Sequence, residues 1–210
     1  VTQAIGDRSF GTDPYVVASL GRSMRHGLPA GGVLPVIKHL PGHSRALTDS
    51  HINLPVIDAD LATLDASDFI PFVELADLPI AMTAHVVVTA VDRDHPATVS
   101  PLVIRDIIRK RIGFDGLLMS DDVSMHALSG DYSARASAIY AAGCELGRHC
   151  NGRTEEMREI GGTAPALDGL RQERAARALS ARRKPAPLDR ESAREEYLAL
   201  LARVPWAAVS

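Results

Sequence analysis

Apolar residues in this chain are concentrated in four short runs, each followed by a polar loop and then by a segment with helical spacing. The runs lie at Val33–His39, Leu78–Val88, Gly116–Asp122 and Cys144–Cys150. Strands that are apolar along nearly their whole length are typical of a parallel sheet covered by helices. The pattern therefore predicts an α/β fold built from four successive strand–helix units.

Capping residues mark the starts of two helices, one before the first strand and one between the second and third strands. Asp13-Pro14 and Ser100-Pro101 each place an N-cap residue before a proline at the first helical position. The first helix is predicted to stop at Gly27 and the second at Gly113, since glycine commonly terminates helices. An alanine-rich helix is predicted at Tyr132–Ala142, closed by Gly143.

The chain changes character from Arg153 onward, where arginines alternate with glutamates. Gly161–Pro165 is predicted to be a linker, and two polar amphipathic helices are predicted near Ala166–Arg183 and Leu188–Val204. We expect this tail to pack on the outside of the strand–helix units. Its mixed charges are typical of solvated helix faces.

Composition excludes several classes of protein. The 210 residues are 46% hydrophobic and 23% charged with a net charge of -3, which gives no basic footprint for nucleic acid. No apolar run approaches the roughly 20 residues of a membrane span, and no signal-peptide pattern opens the chain. Cys144 and Cys150 lie in one predicted strand, too far apart to pair, so reduced thiols and a cytoplasmic location are expected.

The loop after the first strand holds the densest group of titratable residues. It runs from Lys38 to His51 with the sequence KHLPGHSRALTDSH. Strand–helix proteins place their chemistry on loops at the carboxyl ends of strands. Zinc is one use for His39, His43, Asp49 and His51. However, the H-x3-H spacing suits a metal only on a helix, and Pro-Gly lies between the two histidines. We therefore predict no metal and no cofactor.

A second group of polar residues ends the third strand. Asp121 and Asp122 follow an apolar run, where a carboxylate is unfavourable unless it faces a site. Neighbouring strand residues point to opposite faces, so only one of the two can face the strand-end site. The sequence alone leaves that choice open, and capping of the next helix is the alternative for both.

Three motifs together resemble one family. They are IGDRSFGTDP at Ile5–Pro14, the KHLPGH and DSH run at Lys38–His51, and GFDGLLMSDDVSM at Gly113–Met125. They resemble, in the same order, the family 3 glycoside hydrolases that act on β-N-acetylglucosaminides in bacterial muropeptide recycling. The resemblance implies a (β/α)8 TIM-barrel type of fold. Residues 1–152 would form the C-terminal half of the barrel, its last four βα units, and residues 153–210 would be C-terminal helices packed on it.

The resemblance also implies roles for individual residues. Asp121 would be the nucleophile, and His51 with Asp49 would be the acid/base, because a carboxylate beside an imidazole orients the ring and stabilises its protonated form. Substrate-binding roles fall on residues at the strand ends and the first loop: Arg8, Lys38, His39 and, from its position toward the end of the second strand, His85.

The function implied is that of a retaining exo-β-N-acetylglucosaminidase that releases GlcNAc from GlcNAc-1,6-anhydro-MurNAc muropeptides. Three alternatives stay open: a phosphorylase of the same family, a substrate-assisted mechanism, and a truncated, non-catalytic half-barrel. Relatives also take an aspartate and an arginine from earlier strands that this chain lacks. A half-barrel would leave unpaired strand edges, so we expect the chain alone to be unstable, self-associating or inactive.

Two departures from the family pattern stand out. Ser44 replaces a usual glycine after PGH, and Gly147 and Arg148 replace apolar residues in the last strand. An arginine in a parallel barrel strand needs a buried partner. From the sequence, this position therefore predicts reduced local stability rather than chemistry.

Overall fold

The structure is a computed structural model that describes residues 9–43, 45 and 54–203. The elements occur along the chain in this order: α1 (Pro14–Ala30), β1 (Val36–Leu40), β2 (Val56–Ile57), α2 (Leu61–Ala66), α3 (Ile70–Val73), β3 (Ile80–Thr83), β4 (Val87–Val88), β5 (Asp92–Pro96), a 3-10 turn (Ala97–Val99), a π-helix (Val103–Arg111), β6 (Leu117–Asp122), α4 (Tyr132–Ala142), β7 (Leu146–Arg148), α5 (Thr154–Thr163), α6 (Gly169–Ser180) and α7 (Arg190–Leu201).

The central sheet contains β1, β3, β6 and β7 in that order, and all three pairings are parallel. The order of these strands in the sheet follows their order along the chain, and helices lie between them in the sequence. This arrangement confirms the predicted α/β fold. Within the described residues β1 and β7 each pair with one strand of this sheet, so the sheet is not closed into a barrel.

The predicted strand Leu78–Val88 is wrong as a single element. The chain leaves the central sheet after Thr83, and Val87–Val88 pairs instead with β2 and β5 in a separate three-stranded sheet. The backbone N–H of Ala84 still donates to Leu40, but the next residues turn away. A continuous apolar run cannot reveal this break because β3 and β4 are both largely buried.

Helix starts and ends follow local chemistry with one exception. The carboxylate of Asp13 accepts from the first turn of α1, and the hydroxyl of Ser100 accepts from Val103 over 3.2 Å, which confirms both N-caps. Gly143, with φ of 114°, ends α4 as predicted. The stop at Gly27 is wrong, because α1 continues to Ala30 and the carbonyl of Gly27 accepts from Gly31.

The polar tail contains three described helices rather than the two predicted. α5 includes the first part of the predicted linker, while α6 and α7 lie within the two predicted helical segments. Two arginines of α6 are ion-paired with Asp115, and one of them, Arg174, also pairs with Glu145. These contacts anchor α6 at the amino-terminal edge of β6 and β7.

The two cysteines are both free, as predicted. Cys144 is buried in the core and Cys150 is exposed. Burial raises the pKa of the Cys144 thiol to about 12.

Candidate active site

Asp121 lies at the carboxyl end of β6 on the more open face of the central sheet. Side chains alternate along a strand, so Asp121 shares its face with Met119, while Ser120 points to the opposite face and is fully buried there. The side chain of Asp121 is 14% exposed. The structure thus places one of the two candidate carboxylates where a ligand can approach it.

Asp122 points the other way and caps the following turn. One carboxylate oxygen accepts from the backbone N–H of Ser124 over 3.0 Å and the other from its hydroxyl over 2.8 Å. Burial disfavours the charged form, but these hydrogen bonds outweigh it and lower the pKa of Asp122. Asp122 therefore has the capping contacts that the sequence offered as the alternative for both residues.

The two carboxylate oxygens of Asp121 have different surroundings. Oδ1 accepts from the backbone N–H of Asp122 over 2.8 Å and from Nη1 of Arg148 over 3.1 Å. Oδ2 lies 3.5 Å from Nε2 of His39. One oxygen is thus held by two donors at hydrogen-bonding distance, and the other faces a histidine at a longer distance.

The residues of β1 differ in their access to this aspartate. His39, with a side chain 19% exposed, lies against Asp121 as a strand-end partner. Lys38 is exposed. Among the described residues, Arg148 is the basic side chain found in contact with the candidate nucleophile, rather than the lysine of the KH motif.

His85 lies behind the site and is fully buried. Its Nε2 is 3.0 Å from the backbone carbonyl of Asp122, and its Nδ1 is 2.8 Å from the hydroxyl of Thr98. Burial lowers the pKa of His85, so the neutral ring is favoured, and since a carbonyl only accepts, Nε2 carries the proton. These contacts connect the ends of β3 and β6, while the predicted sugar contact stays a prediction.

Three predicted site residues lie outside the described residues: Arg8, Asp49 and His51. Ser44, the departure in the PGH loop, does too. Their assignment still depends on the sequence motifs alone. The groups brought together in the described part are those on the strand ends.

Arg148 contacts the candidate nucleophile, and the sequence did not predict this contact. It pairs in register with Asp122, and its guanidinium also lies 3.4 Å from Sδ of Met82. The sequence held a signal for this contact. The third predicted strand ends in Asp121 and Asp122, and the next strand carries Arg148 near its end. Without the pairing register, however, the sequence could not say that the two ends meet.

A further polar group fixes the chain just beyond β7. Glu156 accepts from Asn151 over 2.6 Å and lies 2.7 Å from Nε2 of His149. The hydrogen bond from Asn151, followed by that from His149, lowers the pKa of Glu156 to about 2. This cluster ties the loop after Arg148 to the first turn of α5.

A cleft of about 870 Å³ among the described residues lies away from Asp121. It is lined by α1, α6 and the loops before β3 and β6, and its arginines are engaged with Glu74, Asp77 and Asp115. Its lining contains none of the predicted catalytic or sugar-binding residues. The strand ends remain the candidate site.

In the ranges 9–43, 45 and 54–203, no three His, Cys, Asp or Glu side chains are placed to hold a metal ion. The zinc alternative involves two residues outside those ranges. Over the same part of the chain, no helix combines the length and the apolarity needed to cross a membrane.

A parallel strand–helix sheet with an aspartate at its carboxyl edge, held by an arginine and a histidine, defines an α/β domain with a carboxylate-centred site. The chain belongs to glycoside hydrolase family 3. The profile described as "Glycosyl hydrolase family 3 N terminal domain" matches residues 1–181. This confirms the family suggested by the three sequence motifs.

Individual relatives agree. A beta-hexosaminidase of Chromobacterium violaceum is 41% identical over 165 residues, covering 77% of this chain and 46% of the relative. Another from Methylococcus capsulatus is 38% identical over 98% of this chain and 60% of the relative. The solved structure of NagZ from Neisseria gonorrhoeae in complex with N-trifluoroacetyl-D-glucosamine has a TM-score of 0.75 at 32% identity, over 96% of this chain and 56% of that one.

The chain thus spans about half the length of the curated relatives it matches. The matched structure supports the barrel-type fold predicted from the motifs, and the open sheet fits part of such a barrel.

Proposed function

We propose that the protein is a retaining exo-β-N-acetylglucosaminidase with Asp121 as its nucleophile. The observation that carries the proposal is the placement of Asp121, a partly exposed carboxylate on the open face of the sheet and at its carboxyl edge. The relatives named beta-hexosaminidase and the NagZ structure with a bound glucosamine derivative support the choice of substrate class.

In the first step, a carboxylate oxygen of Asp121 forms a bond to the anomeric carbon of the terminal GlcNAc. The glycosidic C–O bond breaks, and its electron pair goes to the leaving oxygen, which takes a proton from the acid/base group. We assign that group to His51 with Asp49, on the strength of the DSH motif.

In the second step, the oxygen of a water molecule attacks the anomeric carbon and gives a proton to the same acid/base group. The bond to Asp121 breaks and its electron pair returns to the carboxylate. We propose that Lys38, His39 and Arg8 bind the sugar. For His85 to bind the sugar directly, its ring must first give up its hydrogen bonds to Thr98 and Asp122.

We propose muropeptides that end in GlcNAc as the substrates and the cytoplasm as the location. The family motifs support the substrate, and the two free thiols fit a reducing compartment. In this proposal water completes the reaction, so added phosphate should leave the rate unchanged. A rate that requires phosphate would instead identify a phosphorylase.

Release of nitrophenol from 4-nitrophenyl β-N-acetylglucosaminide tests the proposal. Asp121→Asn keeps the shape of the side chain but removes the nucleophilic charge, so turnover should fall at least about a thousandfold. Asp122→Asn is the matched control, because it makes the same change at a neighbouring carboxylate that faces away and caps Ser124. Equal loss in both variants, or no loss in either, would refute the assignment.

A further inference from the structure

The side chain of Arg148 lies across the open face of the sheet. Its backbone belongs to β7, yet its guanidinium contacts Asp121 on β6 and the sulfur of Met82 on β3. Neighbouring strands are about 4.8 Å apart, so the side chain reaches over one whole strand toward the next. It is 40% exposed, which leaves part of the guanidinium open to the site.

The backbone at this position is fixed on both sides. The N–H of Arg148 donates to the buried hydroxyl of Ser120 over 3.0 Å, and its carbonyl accepts from Val123 over 2.8 Å. The preceding Gly147 lets Tyr140 pack closely, because a Cβ there would lie 2.9 Å from the tyrosine hydroxyl. Gly147 and Arg148, the residues that depart from the family pattern in this strand, therefore have separate structural uses.

The contacts of Arg148 distinguish the two oxygens of the candidate nucleophile. Oδ1 is engaged by Arg148 and by the backbone N–H of Asp122, whereas Oδ2 has His39 at 3.5 Å. An oxygen that accepts two hydrogen bonds is the weaker nucleophile of the pair. Oδ2 can therefore attack the anomeric carbon without breaking the hydrogen bonds that Oδ1 accepts from Arg148 and Asp122.

We propose that Arg148 is a positioning residue that holds Oδ1 of Asp121, directs Oδ2 to the anomeric carbon, and assists release of the sugar in the second step. The proposal rests on the proposed function of Asp121. When the bond between Oδ2 and the anomeric carbon breaks, its electron pair returns to the carboxylate and the charge spreads onto Oδ1. A guanidinium already hydrogen-bonded to Oδ1 stabilises that charge.

Hydrolysis of a trapped intermediate separates this role from a general effect on folding. A 2-acetamido-5-fluoro sugar would label Asp121, and the loss of the label after removal of excess reagent gives the rate of the second step. In Arg148→Met, which keeps an unbranched chain beside Met82, that rate should fall about tenfold to a hundredfold. Because kcat/KM for the nitrophenyl substrate reports only the first step, it should change less than kcat.

Two further variants test for the charge itself. Arg148→Lys should recover part of the rate of label loss, and Arg148→Ala should recover it when guanidinium is added at millimolar concentration. Arg158→Met is the matched control, since Arg158 is 70% exposed and pairs only with Glu155 among the ion pairs of the described residues.

The outcomes distinguish this inference from the proposed function. Slower label loss in Arg148→Met, with recovery by lysine or guanidinium, would support the inference. Label loss at the rate of the unsubstituted chain, or a slowed rate that neither lysine nor guanidinium changes, would overturn it and leave the nucleophile assignment intact. Absence of label from an unsubstituted chain that hydrolyses the nitrophenyl substrate would overturn both.

Discussion

His85 donates from Nε2 to the backbone carbonyl of Asp122 over 3.0 Å, and so links the end of one central strand to the end of the next. The link passes directly behind the candidate nucleophile, which precedes Asp122 in the chain. Burial favours the neutral ring, so protonation of His85 opposes the folded arrangement at this edge of the sheet.

Stability should therefore fall as the pH decreases below the pKa of an unfolded histidine, about 6.5. The folded state lowers the pKa of His85, so below pH 6.5 the unfolded chain binds the proton more tightly and unfolding becomes easier. The contribution is fully present above that pH. Thermal unfolding between pH 7.5 and 5 should show this slope, and His85→Gln should flatten it. An unchanged slope in the variant would contradict the assignment.

The buried carboxylate of Glu145 should be essential for stability. It accepts two hydrogen bonds of 2.9 Å from Arg109, one of 2.8 Å from Arg174 and one from the backbone of Leu118. Glu145→Gln leaves the two arginines without their shared charge, and breaking a buried pair costs about 3–5 kcal/mol. Urea unfolding would measure the loss.

The matched control for that change is Glu155→Gln. Glu155 also pairs with an arginine, but its side chain is 81% exposed. Exposed pairs contribute about 0–1 kcal/mol, so this variant should unfold close to the unsubstituted chain. Similar losses in both variants would mean that the Glu145 network is not the reason for the effect.

The close approach of Tyr140 to Gly147 predicts an energetic coupling. Gly147→Ala would bring a Cβ to 2.9 Å from the tyrosine hydroxyl, so it should destabilise the fold by about 1–3 kcal/mol. In a Tyr140→Phe background the same change should cost less, because the hydroxyl is gone. A double-mutant cycle measures the difference, and additive effects would contradict the packing described.

The two thiols should react at very different rates. Cys144 is buried and burial raises its pKa to about 12, whereas Cys150 is exposed. A disulfide reagent such as Ellman's reagent should therefore modify one thiol in the folded chain and both in denaturant. Two rapidly reacting thiols in the folded chain would show that the core around Cys144 is open.

Local signals predicted those parts of the fold that depend on local chemistry. Asp13-Pro14 and Gly143 fix helix ends through hydrogen bonds and backbone angles within a few residues, and both were found where expected. The break between β3 and β4 was not predictable, because it depends on which distant strand offers pairing partners. The π form of the helix after Ser100 was likewise missed.

The same distinction applies to the site. Asp121 could be selected as one of two candidates because carboxylates at an apolar strand end are unusual. Its partner Arg148 could not, because their contact depends on the register between β6 and β7 and on a long side chain that lies across a strand. Arg148 therefore looked like a local defect in sequence, whereas in the structure it contacts the candidate nucleophile.

The most direct test of the account is to identify the residue labelled by a 2-acetamido-5-fluoro glucosaminyl reagent, by peptide mass mapping of the inactivated chain. We predict one sugar on the peptide that contains Asp121, with no label in Asp121→Asn and a normal label in Asp122→Asn. Turnover of the nitrophenyl substrate without any covalent label, or a label on a different carboxylate, would contradict the account.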